Sequence, residues 1–206
     1  MTRSVVLVGG GGHAKVVVST LQAAGWMVTA VYDDDPGKWR TELLGVPIVG
    51  PLTELEHGLG HPAVLGVGAN RVRKALAQRL PLEWVCAVHP TAIVHPSVTV
   101  GAGSVIFAGA VIQPDTRIGA HAIVNTAATV DHDCTVGDFA HLGPGCHLSG
   151  GVVVGEGGFL GIGSSATPMV SIGAWTTVGA GGVVVADLPS QVVAVGVPAR
   201  PTREKR

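Results

Sequence analysis

The sequence predicts two units in tandem. Residues 1–85 read as a small α/β unit, a Rossmann-like βαβ arrangement on a parallel sheet, and residues 86–206 as an all-β parallel β-helix of hexapeptide repeats ending in a short basic tail. Three observations carry this. Every sixth residue from Val88 to Val184 is aliphatic in unbroken register, and among these only Ala166 is not Val, Ile or Leu. The residue four places on in each hexad (Ala92, Val98, Ser104 and so on to Gly182) is small or β-branched. Upstream of Val88, short apolar runs alternate with helical stretches, and the first run leads into Gly9-Gly10-Gly11-Gly12.

Neither a helix, with its 3.6-residue period, nor a simple strand, with its period of two, yields a strict six. A β-helix does: each hexad is one short strand plus a corner, and three hexads close one triangular coil. Residues eighteen apart then stack at about 4.8 Å. The large aliphatic residue fills the middle of the prism, and the small one fits where the walls converge. Cys134 and Cys146 fall in the small, inward series and read as buried apolar residues; three cysteines make no disulfide framework. The 31 glycines suit a chain with many corners of unusual backbone angle, and the sparse aromatic (4%) and charged (13%) content suits a core of small aliphatics. Mean hydropathy is positive, yet no apolar run approaches the roughly 20 residues of a membrane-spanning helix, and Val5–Val8 is too short for a leader segment. A net charge of −1 leaves no nucleic-acid footprint. The expectation is a reduced, cytoplasmic protein with neither membrane nor nucleic acid as partner.

In the first unit, Val5–Val8 is a buried strand, a helix runs from about His13 to Ala24 and stops at Gly25, and Val28–Tyr32 is a second strand ending in Asp33-Asp34-Asp35. Ala63–Val67 is a third strand, followed by a helix from Asn70 to about Leu80, and Val85–Thr91 leads into the prism. Gly9-x-Gly11-x-x-Ala14, with Asp33 about twenty residues on, fits a phosphate-binding turn. Glycines let the backbone approach a diphosphate, and the helix N-terminus offers free N–H groups and positive potential. About 85 residues is half of what a full dinucleotide spans, so a mononucleotide diphosphate is the better fit. A plain strand-to-helix turn is the alternative; four consecutive glycines followed by His13 and Lys15 weigh against it. Candidate substrate contacts here are Gly11, Gly12, His13, Lys15, Asp33 and Asp34, with Asn70 and Arg71 at the end of the third strand as weaker ones.

The hexad phase also orients the prism histidines. His132, two places after Val130, sits at a corner, whereas His141 lies mid-wall and points outward on the wall opposite that corner, so the two cannot meet within one subunit. The outward residues of the His141 wall (Val105, Ile123, His141, Phe159, Thr177) form an apolar stripe, unlike the wall carrying Thr99, Arg117, Thr135, Val153 and Ser171. A contiguous apolar stripe marks an interface, and the expectation is a threefold assembly with the stripe packed near the axis or against a neighbour's corner and the active site between subunits. Gly150 stands eighteen residues after His132, one coil up, where the lack of a Cβ leaves its N–H open as an oxyanion donor. Asp133 is placed to orient the imidazole, and histidine's reference pKa of about 6.5 suits a general base.

Gly9–Lys15, Asn125-Thr126-Ala127-Ala128, His132-Asp133, Gly137-Asp138-Phe139-Ala140-His141 and Val195-Gly196-Val197-Pro198-Ala199 together resemble the acetyl-CoA-dependent N-acetyltransferases of nucleotide-linked 4-amino sugars, with the sialic-acid O-acetyltransferases as relatives. The resemblance implies a left-handed β-helix, a homotrimer with intersubunit sites, and a nucleotide sugar held by the N-terminal unit. It implies His132 as base supported by Asp133, Asn125 near the sugar, and the Gly150 N–H on the thioester carbonyl. It implies His141 on acetyl-CoA from a neighbouring subunit, with Ile162, Ala180 and Arg200 as further cofactor candidates. The expected reaction is acetylation of the 4-amine of a nucleotide-linked 4-amino-4,6-dideoxysugar by direct attack, in polysaccharide biosynthesis; O-acetylation of a sugar hydroxyl is the alternative. No metal is expected, because His141 and His147 are six apart and fall on different walls.

Overall fold

The computed structural model describes residues 3–57, 60 and 62–204. The N-terminal unit has strands β1 (Arg3–Val8), β2 (Trp26–Tyr32), β3 (Glu42–Leu43), β4 (Val46–Gly50), β5 (Pro62–Leu65) and β6 (Glu83–Trp84), with helices α1 (Gly12–Ala23) after β1 and α2 (Asn70–Arg79) after β5. The sheet order is β3-β4-β2-β1-β5-β6, parallel except for the antiparallel β3–β4 pair. Two features differ from the sequence expectation. The third strand stops at Leu65, and Gly66 N–H donates the last rung of the parallel ladder to Val8 O at 2.7 Å. The β3–β4 hairpin, turned at Leu44-Gly45 with both residues at positive φ, and the edge strand β6 went unseen because two-residue strands carry no readable alternation.

From Ala87 onward the chain winds into a left-handed β-helix of three walls. The first wall stacks Ala87–Val88, Val105–Ile106, Ile123–Val124, His141–Leu142, Phe159–Leu160 and Thr177–Val178, and the register advances eighteen residues per coil. The hexad aliphatics meet on the axis: Ile106, Val124, Leu142, Leu160 and Val178 are each 0% exposed, and Cys134 and Cys146 are buried among them. Every corner from Gly103 to Gly181 holds one residue at φ between +52° and +72°. Only half of these residues are glycine; Asp115, His121, Ala127, Asp133, Phe139, Met169 and Trp175 take the left-handed conformation themselves. Glycine abundance is therefore only part of how the corners are built.

Two expectations are corrected here. The residues expected to form a basic tail continue the first wall: Arg200–Glu204 is a strand antiparallel to Val192–Val195, which itself pairs with Thr177–Val178. More consequentially, the apolar stripe is closed within the chain. Val105 (2% exposed) and Ile123 (1%) share a core with Ala14, Val17, Val18 and Leu21 of α1, and His141 is buried. The N-terminal unit is the partner of that wall, so the stripe gives no reason to invoke a second subunit. A solvent-facing apolar stripe needs a cover, and sequence alone does not show that the cover is the chain's own first helix.

Candidate active site

The chain passes from β1 through α1 to β2 on one side, then returns to β5 on the other side of β1, which makes β1/β5 the switch point of the sheet. In open α/β sheets a ligand crevice forms there, outside the carboxyl ends of the strands. Gly9 (φ +95°) lets the turn after β1 lie against the turn after β5: a Cβ on it would stand 2.6 Å from Val67, and one on Gly66 would stand 2.6 Å from Gly9 O. The N-termini of α1 and α2 open here, and neither is capped by a side chain. Gly11 and Gly12 are exposed with open space around them, as phosphate approach requires. A cavity of about 520 Å³ continues from this crevice against the first prism wall, lined by Gly68, Ala69, Asn70, Arg71, His141, Gly157, Phe159 and Trp175.

Not every candidate faces this space in the role expected of it. Asp33, expected to take ribose hydroxyls, already accepts from Gly10 N–H (2.6 Å) and Asp35 N–H (2.9 Å) and pairs with Lys38 (3.0 Å). Burial alone would raise its pKa, but these hydrogen bonds outweigh burial and hold it below the usual carboxylate value. Its first task is to fix the glycine turn. Asp34 accepts from Leu52 N–H (2.8 Å) and lies 3.8 Å from Arg79. Lys15 is exposed on α1. Asn70 clasps the two units, donating to Gly157 O (3.1 Å) and Gly158 O (3.3 Å), and the Arg71 guanidinium stacks over Trp175 at 4.6 Å.

His141, expected to reach acetyl-CoA across a subunit contact, lies among the crevice residues of its own chain. Its ring lies 5.9 Å from His13 and 5.2 Å from Phe159, and its Nε2 is 3.0 Å from Asn125 Nδ2. Thr126 N–H donates to Asn125 Oδ1 (2.8 Å), which turns the amide nitrogen toward His141. His141 Nε2 must then accept, leaving Nδ1–H to donate to Gly68 O at 3.3 Å. Burial, the nearby Arg73 guanidinium and His13 push the His141 pKa down to about 3, and burial and Arg73 push His13 to about 4. Both are neutral at physiological pH, so neither is a proton acceptor of useful strength; both can orient a ligand.

Sequence reading missed Arg73. It is 1% exposed, and its donors reach His121 O, Val67 O, Gly68 O, Phe139 O, Ala140 O and Asn70 Oδ1, bridging the N-terminal unit to the prism. A helical arginine reads as a solvated cation, and nothing in the sequence signals otherwise. Phe159 and Trp175 were also missed as lining residues. Trp175 sits at a left-handed corner (φ +59°) with its ring across Gly157, where a Cβ would meet it at 2.4 Å.

The His132 corner lies on the far side of the prism, between the second and third walls. His132 is 61% exposed on its side chain, and its Nδ1 lies 2.7 Å from Asp133 Oδ2. The carboxylate accepts a hydrogen bond from Nδ1–H, which leaves Nε2 with its lone pair free. The hydrogen bond to Asp133, then the charge of Asp131, raises the His132 pKa above its ordinary value. One coil up, a Cβ on Gly150 would stand 2.7 Å from both Cε1 and Nε2 of His132; the imidazole lies directly on the glycine backbone. The Gly150 N–H has no partner among the described residues, while its carbonyl accepts from Met169 N–H. The remaining cofactor candidates do not converge on this corner within one chain. Ile162 (60% exposed) and Ala180 stack on the corner between the first and second walls, and Arg200 begins the last strand. Among the described residues no group of His, Cys, Asp or Glu could hold a metal, and no helix is long and apolar enough to cross a membrane.

Residues 4–80 match the PglD N-terminal domain family. A variant of perosamine N-acetyltransferase from Caulobacter crescentus, solved with CoA and GDP-perosamine, is 47% identical over 99% of this chain and 99% of its own, with a TM-score of 0.93. The acetyltransferase domain of PglB from Neisseria gonorrhoeae FA1090, solved with acetyl coenzyme A, is 35% identical over 98% of this chain and 100% of its own, with a TM-score of 0.92. UDP-N-acetylbacillosamine N-acetyltransferase of Bacillus subtilis (strain 168) is 44% identical over 119 residues, and the match spans about half of that curated relative (52%). With both its N-terminal unit and its prism matched, the chain belongs to the family of nucleotide-sugar amino N-acetyltransferases built on a left-handed β-helix.

Proposed function

We propose that the protein transfers the acetyl group of acetyl-CoA to the 4-amine of a nucleotide-linked 4-amino-4,6-dideoxysugar, at sites shared between copies of a homotrimer, in the cytoplasmic stage of polysaccharide biosynthesis. The observation that carries the reading is the split of the chemistry into two halves. The crevice offers two uncapped helix N-termini for a diphosphate and an aromatic-walled cavity for the sugar. The opposite corner offers a base, its orienting carboxylate and a free N–H. The diphosphate lies at Gly11, Gly12 and Asn70, and the sugar reaches Asn125, His13, Arg71 and the Phe159–Trp175 wall. The 4-amine then meets the His132 corner of a neighbouring copy.

There, His132 Nε2 takes a proton from the amine as its nitrogen forms a bond to the thioester carbonyl carbon. The oxyanion is held by the Gly150 N–H. Collapse of the tetrahedral intermediate breaks the C–S bond, and His132 returns the proton to the departing sulfur, giving the acetamide and CoA thiol. Acetyl-CoA runs from Gly150 toward Ile162, Ala180 and Arg200 of an adjoining copy. Cys134 and Cys146 take no part: both are buried, and burial first of all raises both thiol pKa values.

The test is thiol release from acetyl-CoA against GDP-, UDP- and dTDP-linked 4-amino-4,6-dideoxysugars. Turnover with one donor supports the reading, and acetylation of a hydroxyl in its place overturns it. The shared site has its own test. His132→Ala spoils the corner, and Gly12→Asp sets a repelling carboxylate at the crevice mouth, where there is open space for it. Each variant alone is expected to be impaired at least about a hundredfold. Co-expressed one to one, they are expected to regain activity at about a quarter of their sites, those that join an intact crevice to an intact corner. No recovery in verified mixed oligomers overturns the intersubunit arrangement.

A further inference from the structure

We infer that Arg73 is the fixed positive charge of the nucleotide crevice, a positioning residue whose counter-ion is the diphosphate of the ligand. The inference rests on the nucleotide-sugar reading above and adds to it a residue that does not touch the ligand. Every acceptor around the guanidinium is neutral: five carbonyls, at 2.7 to 3.4 Å, and the Asn70 side-chain oxygen at 3.1 Å. Among the described residues no carboxylate pairs with it. Burial is the cause that lowers its pKa, to about 10, so it stays charged at physiological pH. Neutral donors would suffice to tie carbonyls of two units together; a desolvated charge without a partner costs stability and calls for another reason.

Its position supplies that reason. The guanidinium donates to Gly68 O and Asn70 Oδ1, and both residues line the crevice. It therefore lies one residue beneath the surface onto which the N-termini of α1 and α2 open. The other titratable groups around it do not cancel it. His13, His121 and His141 are held neutral, chiefly by burial. Asp33 is engaged with Lys38, and Lys74 pairs with Glu156. Asp138, whose charge reaches His121, accepts from Ala120 N–H at 2.7 Å and makes no ion pair with Arg73 among the described residues. One uncompensated charge thus underlies a partly desolvated crevice, where its field is screened far less than in water. Two helix termini hold a diphosphate by direct N–H contact; Arg73 adds attraction from below and fixes the loops that present those N–H groups.

The experiment compares binding of GDP and UDP with binding of guanosine and uridine by calorimetry, using the full chain as wild type, Arg73→Gln and Arg73→Lys. Arg73→Gln is expected to weaken the nucleoside diphosphates at least about tenfold while leaving nucleoside binding unchanged, and Arg73→Lys to recover most of the loss. Added salt should weaken diphosphate binding more steeply in the wild type than in Arg73→Gln. Equal losses for diphosphate and nucleoside mark a structural clamp and overturn the inference, as does no loss at all. If Arg73→Gln does not fold, the wild type still decides: the Arg73 Nε–H resonance must shift on adding inorganic pyrophosphate and stay put on adding nucleoside, and a silent resonance overturns the inference. Wild type that binds no nucleoside diphosphate brings down the nucleotide reading itself, whereas binding indifferent to Arg73 brings down only the role given to this residue.

Discussion

Replacing His132 by alanine is expected to lower acetyl transfer about 10²–10⁴-fold, the range general-base assistance supplies, with little change in KM for either substrate. The side chain stands out from the prism corner, bonded to Asp133 and lying on the Gly150 backbone. Its loss removes a proton acceptor and leaves the binding surfaces intact, so the effect belongs in kcat. The same geometry fixes a pH dependence. Only neutral imidazole is a base, and the Asp133 hydrogen bond, helped by the Asp131 charge, raises the pKa above its ordinary 6.5. The rate of wild type therefore falls as pH drops through a value above 6.5. Asp133→Asn removes the carboxylate that favours the protonated ring, so its acid limb moves to lower pH while the plateau rate drops with the weaker base. The profile of kcat/KM against pH checks both. A His132→Ala enzyme within about threefold of wild type removes His132 as base, and an unmoved limb in Asp133→Asn removes the dyad.

The prism was legible because its constraint repeats. A coil of eighteen residues sets one large inward residue and one small one per wall, and the axis enforces this from Val88 to Val184, since a polar or oversized residue there has nowhere to go. The corner geometry was legible for the same reason: phase alone set His132 beneath Gly150 and sent His141 to the opposite wall, and the structure places them so. What phase cannot report is what lies outside a wall. Val105, Ile123 and His141 present the same stripe whether a neighbour or the chain's own α1 covers it, and α1 does. The placing of His141 beside the crevice of its own chain follows from that single packing fact. Arg73 was hidden for a complementary reason. Its neighbours are backbone carbonyls of residues 67, 68, 121, 139 and 140, drawn from two units, and carbonyls leave no trace in side-chain pattern.

Gly150→Ala is expected to match His132→Ala in severity without removing any functional group. The new Cβ would lie 2.7 Å from Cε1 and Nε2 of His132, well inside van der Waals contact, and one of the two must move. Gly150 is buried in the corner and held by its carbonyl to Met169 N–H and by the next residue's N–H to His132 O, so the backbone resists. The exposed imidazole yields, breaking its 2.7 Å contact with Asp133 and swinging Nε2 off the line of attack, while the methyl group crowds the N–H that faces the oxyanion. Gly150 is not among the corner residues at positive φ, so alanine adds no backbone strain and the thermal midpoint should stay close to that of wild type. The two substitutions should also be strongly non-additive. Once His132 is gone the Cβ has nothing to displace, and adding Gly150→Ala to His132→Ala should cost only the oxyanion share, against the full loss in the single variant. Strict additivity in the kcat/KM cycle would show that Gly150 acts independently of the imidazole. A variant with full activity would remove the stacked geometry from the mechanism altogether.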